Sequence, residues 1–196
     1  MRGFGRSSPK FLLTCGKGGP TLANLAPMIA VHETNFPDAK IYVPDVFHDE
    51  RGYFKESYSR DKYAALGMRD EWVQDSVSRS KRNVIRGMHY DLRMAKFVQV
   101  LLGTIYDVIV DVRTESPTYK RWQGFELSAD NHRQLYVPKG FAHGFLALSE
   151  DVIVHYKMTA LYDPKHEGVL SWRDPETNIQ WPLQGTPILS PKDAAA

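Results

Sequence analysis

The chain has a single cysteine, Cys15, among its 196 residues, so no disulfide can form within it, and a reducing compartment such as the cytoplasm is expected. It also lacks a dominant charge. Lysine and arginine number 25 against 23 aspartates and glutamates, for a formal charge of +2, too balanced for a protein built to neutralise many phosphates of a nucleic acid. A small anionic ligand is still compatible with that balance. Long apolar runs are missing too: no window approaches the roughly 20 apolar residues that cross a bilayer, so no membrane partner is expected. The opening MRGFGRSSPKFLLTCGKGG carries only a short apolar patch, FLL, less than a signal peptide requires. Residues 1–27 read as a leader or non-native extension, and residues 28–196 as a single domain.

What is present is a succession of short runs rich in Val, Ile, Tyr and Phe, separated by Gly, Pro, Asp and Asn, the pattern of many short strands. Strands are predicted over 41–46, 53–57, 72–78, 84–90, 96–102, 104–112, 121–127, 133–137, 143–148 and 152–158. One helix is predicted over 60–66, with Tyr63 and Leu66 on one face and Gly67 as its stop. The fold class is therefore mainly β, a jelly roll or closed barrel with one or two short helices, whose mouth can hold a small ligand. The runs flanking Gly103 read as a hairpin, and IYDVIVDV reads as a strand covered on both faces in the middle of a sheet.

A barrel interior is normally filled by apolar side chains, so inward polar residues are informative. His89 is placed on the face of Ile85 by strict alternation. Lys96 joins Val98 and Val100, and Tyr156 joins Val152 and Val154. His143 follows a Pro-Lys-Gly turn. Each of these residues alone is at least as easily read as a core or strand-end residue. Arg86 sits at the opposite parity to His89, so both can serve one site only if the strand bulges, and Gly87 is where a bulge is expected. In DERGYFKES, Asp49, Arg51 and Glu56 flank a turn, which reads equally well as a solvated hairpin tip. Two histidines invite a metal-centre reading. However, the string His89-Tyr90-Asp91 lacks the His-x-His and following Glu of metal-binding cupins, and falls short of three protein ligands.

The strings DERGYFKESY, WVQDSVSRS, VIRGMHY, AKFVQVLLGTIYDVIVDVRTESPTYKRW, ELSADNHRQLYVPKGFAHGF, VHYKMTALYDP and LSPKD, in this order, resemble the dTDP-4-dehydrorhamnose 3,5-epimerases. The resemblance implies a cupin-type jelly roll acting as a homodimer on a dTDP-4-ketosugar, without metal or organic cofactor. It matches the family's base to His89, its supporting carboxylate to Asp193 and its acid to Tyr156, with Lys96 against the enolate oxygen. Nucleotide and phosphate contacts map to Arg51, Phe54, Glu56, Gln74, Asp75, Ser76, Arg86, His143, Tyr162, Glu167 and Lys192. Two departures bear on substrate: Asp91 stands where the family usually has Gln, before a shortened segment leading to Lys96, and Ser76 stands where Asn is common. They leave open a single-carbon epimerase acting on another nucleotide 4-ketosugar. A non-catalytic sugar-binding cupin and a metal oxygenase are the alternatives of different class.

Overall fold

The structure, a computed structural model, describes residues 29–196; the expected leader at 1–27 lies outside them. Among the described residues are thirteen strands and two short helices: β1 Ala30–Glu33, β2 Lys40–Val43, β3 Val46–Asp49, β4 Gly52–Lys55, α1 Arg60–Ala65, β5 Gln74–Lys81, β6 Ile85–Tyr90, β7 Lys96–Leu102, β8 Thr104–Asp111, β9 Trp122–Ser128, β10 Gln134–Val137, β11 Phe141–Ala147, β12 Asp151–Met158, β13 Gly168–Val169 and α2 Pro191–Ala195. They form a six-stranded sheet ordered β1-β2-β10-β7-β12-β5, a five-stranded sheet ordered β13-β6-β11-β8-β9, and a separate β3-β4 hairpin. The chain is thus mainly β and has the two-sheet form of the expected fold.

Alternation along each strand sorts side chains into three apolar layers. Between the sheets, Val98, Val100, Leu135, Val152 and Val154 of the larger sheet meet Ile105, Ile109, Leu127, Phe141 and Phe145 of the smaller one. The outer face of the smaller sheet is covered by Ile179, Leu170 and Trp181 packing on Met88, Val108 and Val110. On the far side, Tyr63 and Met68 cover Tyr42 and Phe97. Strand β8 is therefore apolar on both faces, as expected, with Ile105 and Ile109 turned inward and Val108 and Val110 outward. It pairs with β11 and β9 on its two sides.

Three local expectations change. The turn at Gly103 (φ +76°) does not close a hairpin. β7 pairs with β10 and β12 in one sheet and β8 with β11 and β9 in the other, so Gly103 is where the chain crosses between layers. A side chain there would meet Asp151 O at 2.4 Å. The predicted strand over 41–46 is broken at Pro44-Asp45 into β2 and β3, since proline offers no N–H to a continuing ladder. Helix α1 ends at Gly67 (φ +99°) as expected, but only Tyr63 is buried, while Leu66 is exposed.

Candidate active site

A cavity of about 400 Å³ opens between the sheets, lined by Gln74, Ser76, Arg86, His89, Lys96, His143, Phe145, Tyr156, Met158, Tyr162 and Asp193. Strand parity explains most of this set. Gln74 and Ser76 share one face of β5, Lys96 heads the inward row of β7, and Tyr156 and Met158 end that of β12. These strands belong to the six-stranded sheet, whereas His89, Arg86 and His143 come from β6 and β11 of the five-stranded sheet.

Strand β6 brings Arg86 and His89 to the same side by an irregularity. Phe145 pairs with Arg86 and His143 with His89, with a register shift between them. One extra residue on β6 thereby reverses its parity. Gly87 sits at the shift with φ +124°, and a Cβ there would lie 2.6 Å from Gly144 Cα and 2.8 Å from His143 O. The expected bulge is present. The companion expectation fails: Ile85 pairs with outward-facing Leu146, so His89 shares its face with Arg86 and not with Ile85.

His89 donates from Nε2 to Asp193 Oδ1 at 2.6 Å. Asp193 is buried, and its second oxygen accepts from Ser190 Oγ at 2.8 Å. Ser190 also caps α2 by accepting from Asp193 N at 3.1 Å, with Pro191 at the first helical position. The Ser-Pro-x-Asp string is a helix-start signal, so the five-residue helix was readable beforehand. The other His89 nitrogen, Nδ1, lies 3.1 Å from Glu167 Oε1. Glu167 accepts from Tyr162 Oη at 3.0 Å and pairs with Lys192. Burial pulls its pKa up, but those two hydrogen bonds and the charges of His89 and Lys192 outweigh it and hold the carboxyl below its usual value. A neutral imidazole has one N–H and one lone pair. It can donate to only one of the two carboxylates, whereas an imidazolium donates to both.

Lys96 Nζ donates to His89 O at 3.3 Å. Burial pushes its pKa down to about 8, against the attraction of Glu167, Asp107 and Asp91. Tyr156 Oη is 2.9 Å from Ser78 Oγ. Burial raises its pKa above the ordinary phenol value although the Ser78 hydrogen bond works the other way, so at neutral pH the phenol is protonated. His143 stands edge-on to the Tyr156 ring and binds Asp107 through Nε2, 2.9 Å from Oδ1.

Several expected residues lie elsewhere. Asp75 alternates to the outer face of β5, where it pairs with Lys157 at 2.9 Å. Arg51 and Phe54 stand exposed on the β3-β4 hairpin, Arg51 bonded to Asp49, and Glu56 pairs with Lys62 at 2.8 Å; none of the three lines the cavity. Glu167 borders a smaller adjoining cavity, shared with His89, Lys96 and Tyr162, and Lys192 touches the site through Glu167. Asp91 turns to Arg93, 2.7 Å away, within the tight connection from β6 to β7. Sequence reasoning missed Ser78, Asp107 and Ser190. Asp107 was discoverable as a carboxylate inside a strand covered on both faces, which demands a partner. Among the described residues, no group of three or more His, Cys, Asp or Glu side chains is arranged to hold a metal ion.

The family model for dTDP-4-dehydrorhamnose 3,5-epimerase matches residues 33–196. The enzyme of that name from Salmonella typhimurium is 47% identical over 173 residues, covering 86% of this chain and 94% of the relative. That from Pseudomonas aeruginosa is 49% identical over 160 residues, covering 80% and 88%. A dTDP-4-dehydrorhamnose 3-epimerase from Streptomyces niveus is 40% identical over 157 residues, covering 78% and 75%. Among solved structures, the Legionella pneumophila 3,5-epimerase in complex with dTDP-4-keto-L-rhamnose superposes with a TM-score of 0.84 at 44% identity, covering 86% of this chain and 92% of that one. With matches of this extent and identity, the chain belongs to the dTDP-4-dehydrorhamnose 3,5-epimerase family, isomerases acting on carbohydrates.

Proposed function

We propose that this chain inverts C3 and C5 of dTDP-4-dehydro-6-deoxy-D-glucose, giving dTDP-4-dehydro-L-rhamnose. The observation that carries the reading is the convergence of His89, Lys96 and Tyr156 on one cavity, with His89 and Tyr156 on opposite sheets. The C4 ketone acidifies the hydrogens at C3 and C5, because the carbanion left behind delocalises onto the carbonyl oxygen. His89 takes the proton on one face while Asp193 stabilises the imidazolium through the far nitrogen. Lys96 stabilises the enolate oxygen, and Tyr156 returns a proton on the other face. Once His89 has lost its proton to water and Tyr156 has regained one, repeating the cycle at the second carbon completes the double inversion.

The guanidinium of Arg86 suits diphosphate oxygens, with Gln74, Ser76, His143 and Tyr162 around the nucleotide sugar. Glu167, once released from His89 Nδ1, and Lys192 complete that rim. Arg51, Phe54 and Glu56 belong to the same reading through a homodimer. Their hairpin exposes Phe47, Tyr53 and Phe54, an apolar surface suited to a second copy whose cavity it would edge. Asp75 supports β5 from outside through Lys157. The reading includes a cytoplasmic location and a single domain over 28–196; no described helix is long and apolar enough to cross a membrane.

Proton NMR of the reaction in deuterated water tests the function: deuterium at both C3 and C5 is expected, and none at either would sink it. A second reading, inversion of one carbon only, is favoured by the shortened connection at Asp91 and by the similarity to the Streptomyces niveus 3-epimerase. Label confined to a single carbon would select it.

A further inference from the structure

The acid in this scheme has a requirement that its own position does not meet. A phenol has one hydrogen, and it can be transferred to the sugar only if it points into the cavity. Tyr156 lines the cavity and Ser78 does not. The two hydroxyls lie 2.9 Å apart with either able to donate. When Ser78 accepts, the phenol hydrogen is turned toward β5 and away from the sugar. When Ser78 donates, the phenol hydrogen is freed for the cavity.

We propose that Ser78 is a positioning residue for the acid, donating to Tyr156 Oη so that the phenol proton faces the carbanion and the phenolate left behind is stabilised. The inference rests on the acid and base roles proposed above. In the step itself, the C–H bond breaks toward His89 and its electron pair spreads onto the C4 oxygen. The Tyr156 O–H bond then breaks, its proton bonding to carbon on the opposite face as the pair returns. The negative charge now rests on the tyrosine oxygen, where a hydrogen bond from Ser78 is charge-assisted and stronger than it was to the neutral phenol. An interaction that strengthens as the proton leaves acts on the transition state more than on the bound substrate.

The surrounding geometry singles out Ser78 for this role. Ser76, Ser78 and Ser80 share the inward parity of β5, but Ser76 accepts from Gln74 at 3.2 Å and Ser80 from Arg86 Nε at 3.0 Å. Val154 is the residue directly opposite Ser78 and Ser76 is the one opposite Tyr156, so the Ser78–Tyr156 contact is a diagonal cross-strand one, within reach of an aromatic side chain. Among the described residues no other side chain hydrogen-bonds to Tyr156 Oη. Arg86, whose charge favours the phenolate, has its Nη2 donating to Arg79 O at 3.1 Å.

The test compares S78A, S78T and Y156F in deuterated water, measuring deuterium separately in recovered starting sugar and in epimer. Return of label from His89 to the original face marks proton abstraction alone, while label in the epimer requires the acid. In S78A the inversion rate is expected to fall about 10- to 100-fold, the range for a hydrogen bond to a charged group. KM is expected to stay within about twofold, and the ratio of labelled starting sugar to labelled epimer to rise. S78T, which keeps the hydroxyl, is expected to restore both. Exchange and inversion falling in parallel, or S78A behaving as wild type while Y156F is impaired, would overturn the Ser78 role alone. Wild-type inversion by Y156F would overturn the acid assignment and this inference with it.

Discussion

His89 Nε2 lies 2.6 Å from Asp193 Oδ1 although 104 positions separate the two residues. The proposed base is held by a carboxylate on a helix of five residues, itself started by Ser190. Asp193→Asn keeps the shape and removes the charge that stabilises the imidazolium. By comparison with other histidine bases deprived of their carboxylate, kcat is expected to drop about 10²- to 10⁴-fold with little change in melting temperature. Ser190→Ala, which frees one Asp193 oxygen, should lose about tenfold. Steady-state kinetics with a coupled reductase would read both.

Lys96 sets an alkaline limit. With its pKa pushed down to about 8 by burial, the cation that the proposed mechanism sets against the enolate is lost as pH rises through about 8. Tyr156, raised above the ordinary phenol value, keeps its proton beyond that point, so the fall in rate near pH 8 should disappear in Lys96→Met along with most of the activity. The stability consequence has the opposite sign. A lysine whose folded pKa is depressed destabilises the fold most below about 8, an effect that fades between about 8 and the unfolded value near 10.4. K96M is therefore expected to melt higher than wild type at pH 7 and equally at pH 10.5, as calorimetry would record.

Gly87→Ala probes the bulge that joins Arg86 to His89. The added carbon would approach Gly144 Cα to 2.6 Å, and backbone on the neighbouring strand cannot swing aside as a side chain can. A loss of about 3 kcal/mol or more is expected from left-handed strain combined with the clash. Denaturant titration would measure it, and a variant as stable as wild type would contradict the close packing of β6 on β11.

Arg113→Met tests a buried carboxylate remote from the cavity. Asp111 is fully buried and accepts from Arg113 Nη2 at 2.8 Å, Ser116 Oγ at 2.5 Å and Thr118 Oγ1 at 2.6 Å. Burial alone would raise its pKa, but the Arg113, Ser116 and Thr118 hydrogen bonds hold it well below the usual carboxylate range. The corresponding stability is present above about pH 4 and lost as pH falls below it. Removing the arginine should cost about 3 kcal/mol at pH 7 and progressively less in acid, a convergence visible in urea melts taken at both pH values.

The exposed hairpin makes a prediction about mixtures. Arg51→Ala and His89→Ala, each inactive alone under the dimer reading, should regain up to about a quarter of wild-type activity when unfolded and refolded together. Mixed dimers then carry one site with an intact hairpin and an intact base. No recovery would assign Arg51 to its own chain's cavity or to no site at all.

Most strands were legible because each is a local run of β-branched and aromatic residues. Sheet membership was not: the residues around Gly103 read as a hairpin since adjacency in sequence says nothing of which layer a strand joins. The need for a bulge at Gly87 could be stated from parity alone, yet Ile85 was put on the wrong face because the same parity was trusted on both sides of it. Asp75 shows the converse. Alternation with Gln74 and Ser76 already turned it outward, while motif resemblance drew it into the site. Asp107 and Ser78 escaped notice because their roles exist only through partners, His143 and Tyr156, that are 36 and 78 positions away.

The division of His89 and Tyr156 between two sheets ties stereochemistry to packing. The gap between the proposed proton taker and proton giver is the spacing of two layers, maintained by Val98, Val100, Leu135, Ile105, Ile109 and Leu127. A methyl group added or removed in that core alters the width of the cavity in which the proposed mechanism sets the sugar ring. Substitutions that never touch the ligand can therefore shift the balance between turning a carbon over and handing its proton back, leaving the catalytic residues free to stay constant while the carbon that is inverted changes.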